Sequence, residues 1–216
     1  MLHPDVREAN KIKFLKLVNS IKRQGANIPA LIDWLEKSDF FDAPASTNYH
    51  NSVEGGLLDH SLKVYNNLVQ LYALKFPEES KSVELQESLF VVAALHDLDK
   101  VNKYERTSRN VKVYSEDGDK HDELGKFKWV SKQGWGTRPV GARFVYGSHE
   151  MNSEYLARCF IPLRMEESVA ILHHMGSMSW DSAKDNIGDV FTRYPLALML
   201  YQADMLATYL DEERGE

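Results

Sequence analysis

The chain has little cysteine and no long hydrophobic run. One of its 216 residues is cysteine, which excludes a framework of disulfide bonds. Cys159 lies in the helix-like stretch MNSEYLARCFI, where a small core residue is a commoner role than a nucleophile or a lone metal ligand. Because neither a run of about 20 apolar residues nor a signal-like N-terminal segment appears, we expect a cytoplasmic protein without a membrane partner.

An excess of positive charge is also missing. The formal net charge is −6 at pH 7, and affinity for duplex nucleic acid depends on basic patches, so a protein that coats duplexes is excluded. The charge is uneven, since residues 100–143 hold eleven Lys or Arg against six Asp or Glu. This local excess has two interpretations: ordinary lysines on a solvated hairpin, or a basic rim that guides an anionic substrate.

Most of the chain has helical patterning. With 43% hydrophobic and 27% charged residues, it can bury a full core as one domain. Apolar residues recur at helical spacing, and Gly, Pro, Ser and Asn mark the breaks between segments. The pattern predicts helices over residues 6–22, 28–36, 57–74, 82–95, 151–160, 166–174 and 194–213.

The region from 110 to 146 has a different pattern. VKVYSEDGDK alternates apolar and polar residues before an Asp-Gly turn, and GKFKWVSKQGWG repeats the alternation. This predicts a small β-hairpin inserted between helices. Its aromatic residues Tyr114, Trp129 and Trp135 have two possible roles: stacking on a nucleobase, or holding the hairpin together as cross-strand pairs.

An adjacent imidazole and carboxylate, His96 and Asp97, end the nearly apolar helix segment 88–95. A buried pair of this kind needs partners, and a metal ion would satisfy both side chains. Asp204 presents the same problem, because apolar residues surround it within a helix and an unpaired buried carboxylate is costly. His60, His149 and the pair His173-His174 are further candidates. Each residue alone has an ordinary structural explanation, but the joint pattern favours a metal site.

With these motifs the chain resembles the HD superfamily of metal-dependent phosphohydrolases over most of its length. The segments that carry the resemblance are YHNSVEGGLLDHSLKVYNNL (49–68), LHDLDK (95–100), YGSHEMNS (146–153), ILHHMG (171–176) and YQADMLATYLDE (201–212). It implies an all-α helical bundle with the small inserted hairpin. The expected organisation is a single domain over 1–216, with N-terminal helices at 1–45, a metal-binding core at 46–103 and 147–213, and the insertion at 104–146.

The resemblance also implies a ligand set. One metal would be held by His60, His96, Asp97 and Asp204, with Asp97 as the bridge to a second. That second metal would be held by His149 and by one residue of the HHMG segment. In the family this segment is usually a histidine followed within two residues by glycine. That spacing favours His174, which precedes Met175 and Gly176, and leaves His173 as a packing or substrate-binding residue.

Two other residues, Lys100 and His50, are expected around the substrate. Lys100 resembles a cation that binds the substrate phosphate, and together with Asp97 it is the expected catalytic group. His50 is either a pocket residue or an ordinary surface histidine. Asp99 departs from the pattern, because many relatives have glycine there. Its negative charge is expected next to Lys100 and leaves the substrate preference open.

Imidazole and carboxylate ligands suit manganese, iron, nickel, cobalt or zinc, with magnesium as a further candidate, and the expected content is one or two ions. Such ions would activate a hydroxide for hydrolysis of a phosphodiester or phosphomonoester. We therefore expect a phosphohydrolase for a small anionic nucleotide or short oligonucleotide, and the GGLLDH and HHMG segments favour a diester. The alternatives are a mixed-valent di-iron oxygenase of the superfamily, a deoxynucleoside triphosphate triphosphohydrolase and a nucleotide-sensing module. The oligomeric state is not evident from the sequence.

Overall fold

The computed structural model describes residues 2–178 and 186–212, with the side chain of Arg109 left out. The described part contains eight α-helices. In chain order they are α1 (Pro4–Ser20), α2 (Ile28–Lys37), α3 (Gly56–Lys75), α4 (Val83–Leu95), α5 (His149–Arg158), α6 (Met165–Leu172), α7 (Ile187–Arg193) and α8 (Pro195–Leu206).

Polar side chains cap several of these helices at the N-terminus. Asn27 accepts a hydrogen bond from the Ala30 backbone N–H at 3.2 Å, and Ser82 and Ser148 accept equivalent bonds at the starts of α4 and α5. Each bond satisfies a backbone donor that the first helical turn leaves without a partner. The caps explain why the helices begin close to the positions that the sequence predicts.

Helix α4 lies at the centre of the bundle. Every residue from Ser88 to Leu95 is buried, as the apolar segment predicts, and α4 packs against α3, α6 and α8. A helix buried all round needs an uninterrupted apolar sequence. Its C-terminal end therefore delivers His96 and Asp97 to the interior of the protein.

The predicted helices are present with small changes at their ends. The predicted helix over 194–213 begins at Pro195, its regular part ends at Leu206, and a π-helical turn, Ala207–Asp211, follows; Glu213 lies outside the described residues. The predicted helix over 166–174 ends at Leu172. Helix α7 was not predicted. The prediction that Cys159 is a core residue is wrong, because its side chain is exposed.

The insertion is a three-stranded antiparallel sheet. Its strands are β1 (Tyr104–Tyr114), β2 (Lys120–Asp122) and β3 (Gly125–Thr137), in the order β1-β3-β2. The long pair runs in register from Tyr104 opposite Thr137 to Tyr114 opposite Phe127. The sheet begins at residue 104, the first residue of the expected insertion and six residues before the alternating pattern that starts at 110. The fold is therefore mostly helical but not purely all-α.

The aromatic residues of the sheet contact neighbouring side chains. The rings of Tyr114 and Phe127, opposite each other on β1 and β3, lie 5.9 Å apart, and the guanidinium of Arg106 lies 4.0 Å from the ring of Trp135 on the neighbouring strand. These are the contacts of the cross-strand interpretation.

The root of the sheet is fixed to the helical body. Arg138 donates a backbone hydrogen bond to Lys103 at 2.9 Å and a side-chain bond to the Tyr104 carbonyl at 2.9 Å, while Arg106 pairs with Glu54 at 2.8 Å. Beyond the root, the strands pack mainly on one another. Among the described residues, none of the helices has the length and hydrophobicity to cross a membrane.

Candidate metal centre

A tight turn delivers the first histidine of the site. Gly55 has a φ of 76°, a left-handed conformation that other residues rarely adopt, and a Cβ on Gly56 would lie 2.1 Å from the carbonyl oxygen of Asn51. The turn starts α3, so that His60 lies in its second turn and is buried. The two glycines of the GGLLDH segment are thus required by the backbone.

The other candidate ligands lie at helix ends or within α8. His96 follows the last residue of α4, and the chain then turns through Asp97 into a 3₁₀ turn, Leu98–Lys100. His149 is the first residue of α5, His174 follows α6, and Asp204 is on α8. Five separate segments therefore contribute to one location.

Asp97 is at the middle of this location. Its Oδ2 atom lies 3.4 Å from Nε2 of both His60 and His96. Its Oδ1 atom lies 2.7 Å from Nε2 of His149 and 3.8 Å from Nε2 of His174. Asp204 approaches the first pair, with Oδ1 at 3.2 Å from Nε2 of His60. The structure thus brings all six candidate ligands together, with Asp97 between two pairs of histidines.

All four histidines are oriented in the same sense. Each Nδ1 atom has an oxygen partner: Glu212 for His60 at 2.8 Å, Asp99 for His149 at 2.9 Å, and backbone carbonyls for His96 and His174. A neutral imidazole that donates from Nδ1 has its lone pair on Nε2, which is the atom a metal would bind.

Three of these Nε2 atoms are buried without a hydrogen-bond partner in the described part of the chain. They belong to His60, His96 and His174. A buried polar atom without a partner is costly, so such atoms call for an explanation. Among the described residues, four groups of three donors have all donor atoms within 4.8 Å of one another and could hold ions: His60, His96 and Asp97; Asp97, His149 and His174; His96, His174 and Asp204; and His50, His60 and Glu212. The first two groups share Asp97. The donor set and its convergence fit divalent metals.

Buried carboxylates at the centre favour positively charged neighbours, as the pKa shifts of the site show. Burial opposes ionisation of Asp97, but Lys100, His96 and His149 outweigh it and hold the pKa of Asp97 well below its usual range. Burial likewise disfavours a charged His60, yet Asp204 and Glu212 raise its pKa to about 10. For His174, burial dominates and lowers the pKa to about 4. Without metal, protons on His60 balance part of the carboxylate charge.

A cavity of about 930 Å³ opens onto the centre. Its floor includes Asp97, His149 and Asp204. Its walls are formed by polar and apolar side chains: Asn48, Tyr49, His50, Lys100, Lys103, Tyr104, Glu150, Met175, Met178, Met205, Thr208 and Tyr209. The expected substrate residues Lys100 and His50 therefore line the cavity.

Other predicted substrate groups lie elsewhere. His173 donates from Nδ1 to the Val169 carbonyl at 2.9 Å and is not among the residues that line the cavity. The lysines of the inserted sheet, which could have formed a basic rim for the substrate, do not reach the cavity. Lys128 pairs with Asp117 at 2.9 Å, and none of Lys126, Lys128 and Lys132 lines the cavity. Within the described residues, the cations at the cavity are Lys100 and Lys103.

Several residues of the site carry no local sequence signal. Glu212 contacts His60 from 152 positions away, and the sequence pattern does not indicate the pairing of Asp99 with His149 and Lys103. The sequence predicts that Asp99 places its charge next to Lys100. In the structure its carboxylate contacts His149 and Lys103.

Comparison with known proteins gives limited support. No protein-family model matches the chain, and no solved structure matches it. A stretch of 92 residues is 32% identical to the dihydroneopterin 2′,3′-cyclic phosphate phosphodiesterase of Methanocaldococcus jannaschii. The stretch covers 42% of this chain and 35% of the relative, so it spans about a third of that protein. This weak similarity is to a hydrolase of phosphodiesters.

Proposed function

We propose that this protein is a metal-dependent phosphodiesterase that acts on a small nucleotide-type substrate. The observation that carries the proposal is the convergence of four histidine Nε2 atoms on the two oxygens of Asp97. In this proposal His60, His96, Asp97 and Asp204 hold one ion, and Asp97, His149 and His174 hold the other. Bound there, two divalent ions would supply Lewis acidity and lower the pKa of a water molecule.

Lys100 and Lys103 provide the cationic side of the cavity. The Lys100 ammonium lies 2.6 Å from Oδ2 of Asp97, and its side chain is 13% exposed. It is therefore close enough to the floor of the cavity to meet a phosphate held there. Burial alone would lower the pKa of Lys100, but Asp97 reverses this and raises it, so the group stays charged at neutral pH. A fixed positive charge at this point stabilises the negative charge that develops on the phosphoryl oxygens.

His50 lies beside the centre as a neutral group. Its ring centroid is 5.1 Å from that of His60, and its Nε2 atom is buried without a partner among the described residues. Burial, with smaller contributions from Lys100 and His60, lowers the pKa of His50 to about 4. A neutral imidazole whose Nε2 has no partner among the described residues is suited to hydrogen bonding with a phosphate oxygen. Its orientation toward substrate is part of the proposal.

The rest of the cavity suits the organic part of a nucleotide. Its volume is within the range of small-molecule sites, about 300–1,000 Å³. Met175, Met178 and Met205 also line it, and methionine side chains adapt to flat aromatic groups. A diester with a planar base would thus have both charged and apolar groups to bind.

The relative from Methanocaldococcus jannaschii supports the reaction class. Its name identifies a cyclic phosphodiester as its substrate. The shared stretch is 32% identical, which favours hydrolysis of a phosphodiester over hydrolysis of a triphosphate. The substrate of the present protein, including its base and sugar, is left to experiment.

A substrate panel tests the proposal. The purified protein would be assayed with 2′,3′-cyclic nucleotides, linear dinucleotides, nucleoside monophosphates and deoxynucleoside triphosphates, each with manganese, cobalt, nickel, zinc or magnesium. We expect turnover of at least one diester that chelation abolishes and that Asp97→Asn lacks. Exclusive turnover of triphosphates, or saturable nucleotide binding without turnover, would contradict the proposal.

The same donor set could serve a di-iron oxygenase, so metal analysis belongs to the test. Anaerobic purification followed by iron determination and an electron paramagnetic resonance spectrum distinguishes the two classes. A mixed-valent di-iron signal together with no diester turnover would assign the protein to the oxygenases.

A further inference from the structure

We propose that Asp99 is a positioning residue that orients His149 and thereby forms the second metal position. This inference rests on the proposed metal centre. It concerns a carboxylate that lies behind the ligands and does not contact the substrate.

Asp99 is almost completely buried and uses both carboxylate oxygens. Its Oδ2 atom accepts a hydrogen bond from Nδ1 of His149 at 2.9 Å and also pairs with Lys103. Its Oδ1 atom accepts a bond from the side-chain amide of Asn152 at 2.5 Å. Its backbone N–H donates to Ser153 at 3.1 Å. Asp99 therefore connects the 3₁₀ turn after Asp97 to the first turns of α5.

Hydrogen-bond donors face both carboxylate oxygens of Asp99, so each oxygen must act as an acceptor. The Asn152 side-chain oxygen accepts backbone hydrogen bonds from Tyr146 at 2.9 Å and Gly147 at 2.8 Å. This fixes the orientation of the Asn152 amide, so that its NH₂ group must face Oδ1 of Asp99. Since the opposite oxygen faces His149 and Lys103, only a carboxylate satisfies all three donors. An amide or a glycine at this position would not.

His149 depends on this support more than the other histidines do. Its side chain is 22% exposed at the cavity, whereas the side chains of His60, His96 and His174 are at most 1% exposed. The ring of His149 is therefore held by fewer packing contacts than the rings of the other three histidines. Without metal, both ring nitrogens of His149 donate, Nδ1–H to Asp99 at 2.9 Å and Nε2–H to Oδ1 of Asp97 at 2.7 Å. When a metal replaces the proton on Nε2, the bond to Asp99 keeps the other proton on Nδ1 and leaves the Nε2 lone pair for the ion. A partner behind a metal-bound histidine typically changes metal affinity by about 10–100-fold.

The variant Asp99→Asn isolates this role. If the oxygen of the substituted amide turned toward Asn152, the new NH₂ group would face Nδ1–H of His149 and the Lys103 ammonium, and His149 would lose its acceptor. The opposite orientation would place two NH₂ groups against each other in the interior. The first orientation removes the acceptor of His149. The second keeps an acceptor oxygen there but removes its negative charge and the bond to Asn152 that holds it in place, so both orientations weaken the support of His149, while the residues around His60 are unchanged.

Isothermal titration calorimetry with Mn²⁺ on metal-free protein gives the affinities of both ions. We expect Asp99→Asn to weaken the second ion by about 10–100-fold and to leave the first within about threefold. The matched variant Glu212→Gln removes the equivalent partner of His60 and should weaken the first ion instead. Asp122→Asn, at a half-buried carboxylate of β2 that pairs with Lys112 and does not line the cavity, is the control for loss of a negative charge away from the centre.

The outcomes separate this inference from the proposed function. Two ions with unchanged affinity in folded Asp99→Asn would overturn the role of Asp99 only. A wild-type protein that binds a single ion would contradict the two-metal centre itself. Substrate turnover does not enter either result.

A measurement on the wild-type protein covers the case in which Asp99→Asn does not fold. Long-range ¹H–¹⁵N spectra of the Zn²⁺-loaded protein report which nitrogen of His149 carries the proton. We expect Nδ1–H, and a proton on Nε2 would overturn the inference.

Discussion

At the scale of single residues, negative charge around Asp97 is balanced by nearby cations. Three carboxylates, Asp97, Asp204 and Glu212, are buried near His60, and burial of such charges requires compensation. In the absence of metal, His60 and Lys100 provide part of it as cations. Divalent ions would provide the same compensation and displace the proton on His60.

Metal binding should therefore release protons. The pKa of His60 is raised to about 10 and that of His149 is also raised, both by nearby carboxylates that outweigh burial. Because a metal requires the neutral imidazole, we expect release of about two protons per chain near pH 7 when both positions fill, with tighter binding as pH rises. Calorimetric titrations in buffers of different ionisation enthalpy measure this number.

The metal-free protein should respond to pH in the opposite direction. A raised pKa means that protonated His60 stabilises the folded state. This contribution is complete below about 6.5, the ordinary value of the unfolded chain, and is lost as pH rises through about 10. The gap in melting temperature between metal-loaded and metal-free protein should widen from pH 6.5 to 8.5. A constant gap together with no proton release would contradict this account of His60.

Lys100→Ala tests the cation of the cavity. Loss of this buried ammonium should lower kcat/KM for the true diester by about 10²-fold, close to 3 kcal/mol at about 1.4 kcal/mol per factor of ten. Metal content should persist, because removing a neighbouring positive charge does not disfavour a cation. Lys132→Ala, on the exposed ribbon, is the matched control. Wild-type kcat/KM in Lys100→Ala would refute the phosphate-binding role.

The residues of the site divide into those with a sequence signal and those without one. Six could be proposed together because each is a metal-ligand type within a recognisable segment: His60, His96, Asp97, His149, His174 and Asp204. The supporting residues could not. Glu212 and Asn152 act through contacts across 152 and 53 positions, which only the folded chain brings together.

At the scale of elements, the segment after α1 is held by a buried ion-pair network. Both terminal nitrogens of Arg23 contact Glu167 of α6, at 2.5 and 2.6 Å, and its Nε contacts Glu87 of α4 at 3.0 Å. The Glu167 side chain is 1% exposed. Arg23 thus connects the chain after α1 to two helices of the core.

Arg23→Met should destabilise the fold, because it leaves the Glu167 carboxylate buried without its main partner. We expect the free energy of unfolding to fall by about 3–5 kcal/mol in urea titrations. Lys37→Met removes a surface pair with Asp33, in which both side chains are more than half exposed, and should cost less than about 1 kcal/mol. Equal losses in the two variants would contradict the buried network.

Sequence patterns predict some helices and strands of this protein and miss others. Helix α4 was predictable because an apolar run of this length is typical of a fully buried helix. The first half of β1, YERTSR, was missed because much of it is exposed, so that no apolar alternation marks it. Helix α7 has seven residues and no buried side chain, which leaves little periodicity to detect.

At the scale of the whole molecule, the ribbon formed by β1, β2 and β3 is an addition to the helical body. Its strands pack mainly on one another, and its contacts with the body lie near Tyr104, Arg106 and Arg138. Its lysines do not line the cavity. The helical body therefore has its own core and its own candidate centre.

Replacement of residues 105–136 by an Asn-Gly turn tests this separation. Tyr104 and Thr137 are already opposite each other, so a two-residue turn can join them. We expect the shortened protein to keep its helical circular dichroism, its metal content and kcat/KM for a small diester at physiological salt. Loss of bound metal in a folded product would show that the ribbon supports the centre.

The central claim is that six side chains around Asp97 hold two metal ions. The most direct test is the metal content of wild-type protein and of His149→Ala, measured by inductively coupled plasma mass spectrometry after reconstitution and removal of free metal. The account predicts close to two ions per chain in the wild type and close to one in His149→Ala, because Asp204 and the pair His60 and His96 keep the first position. An equal metal content in the two proteins would contradict it.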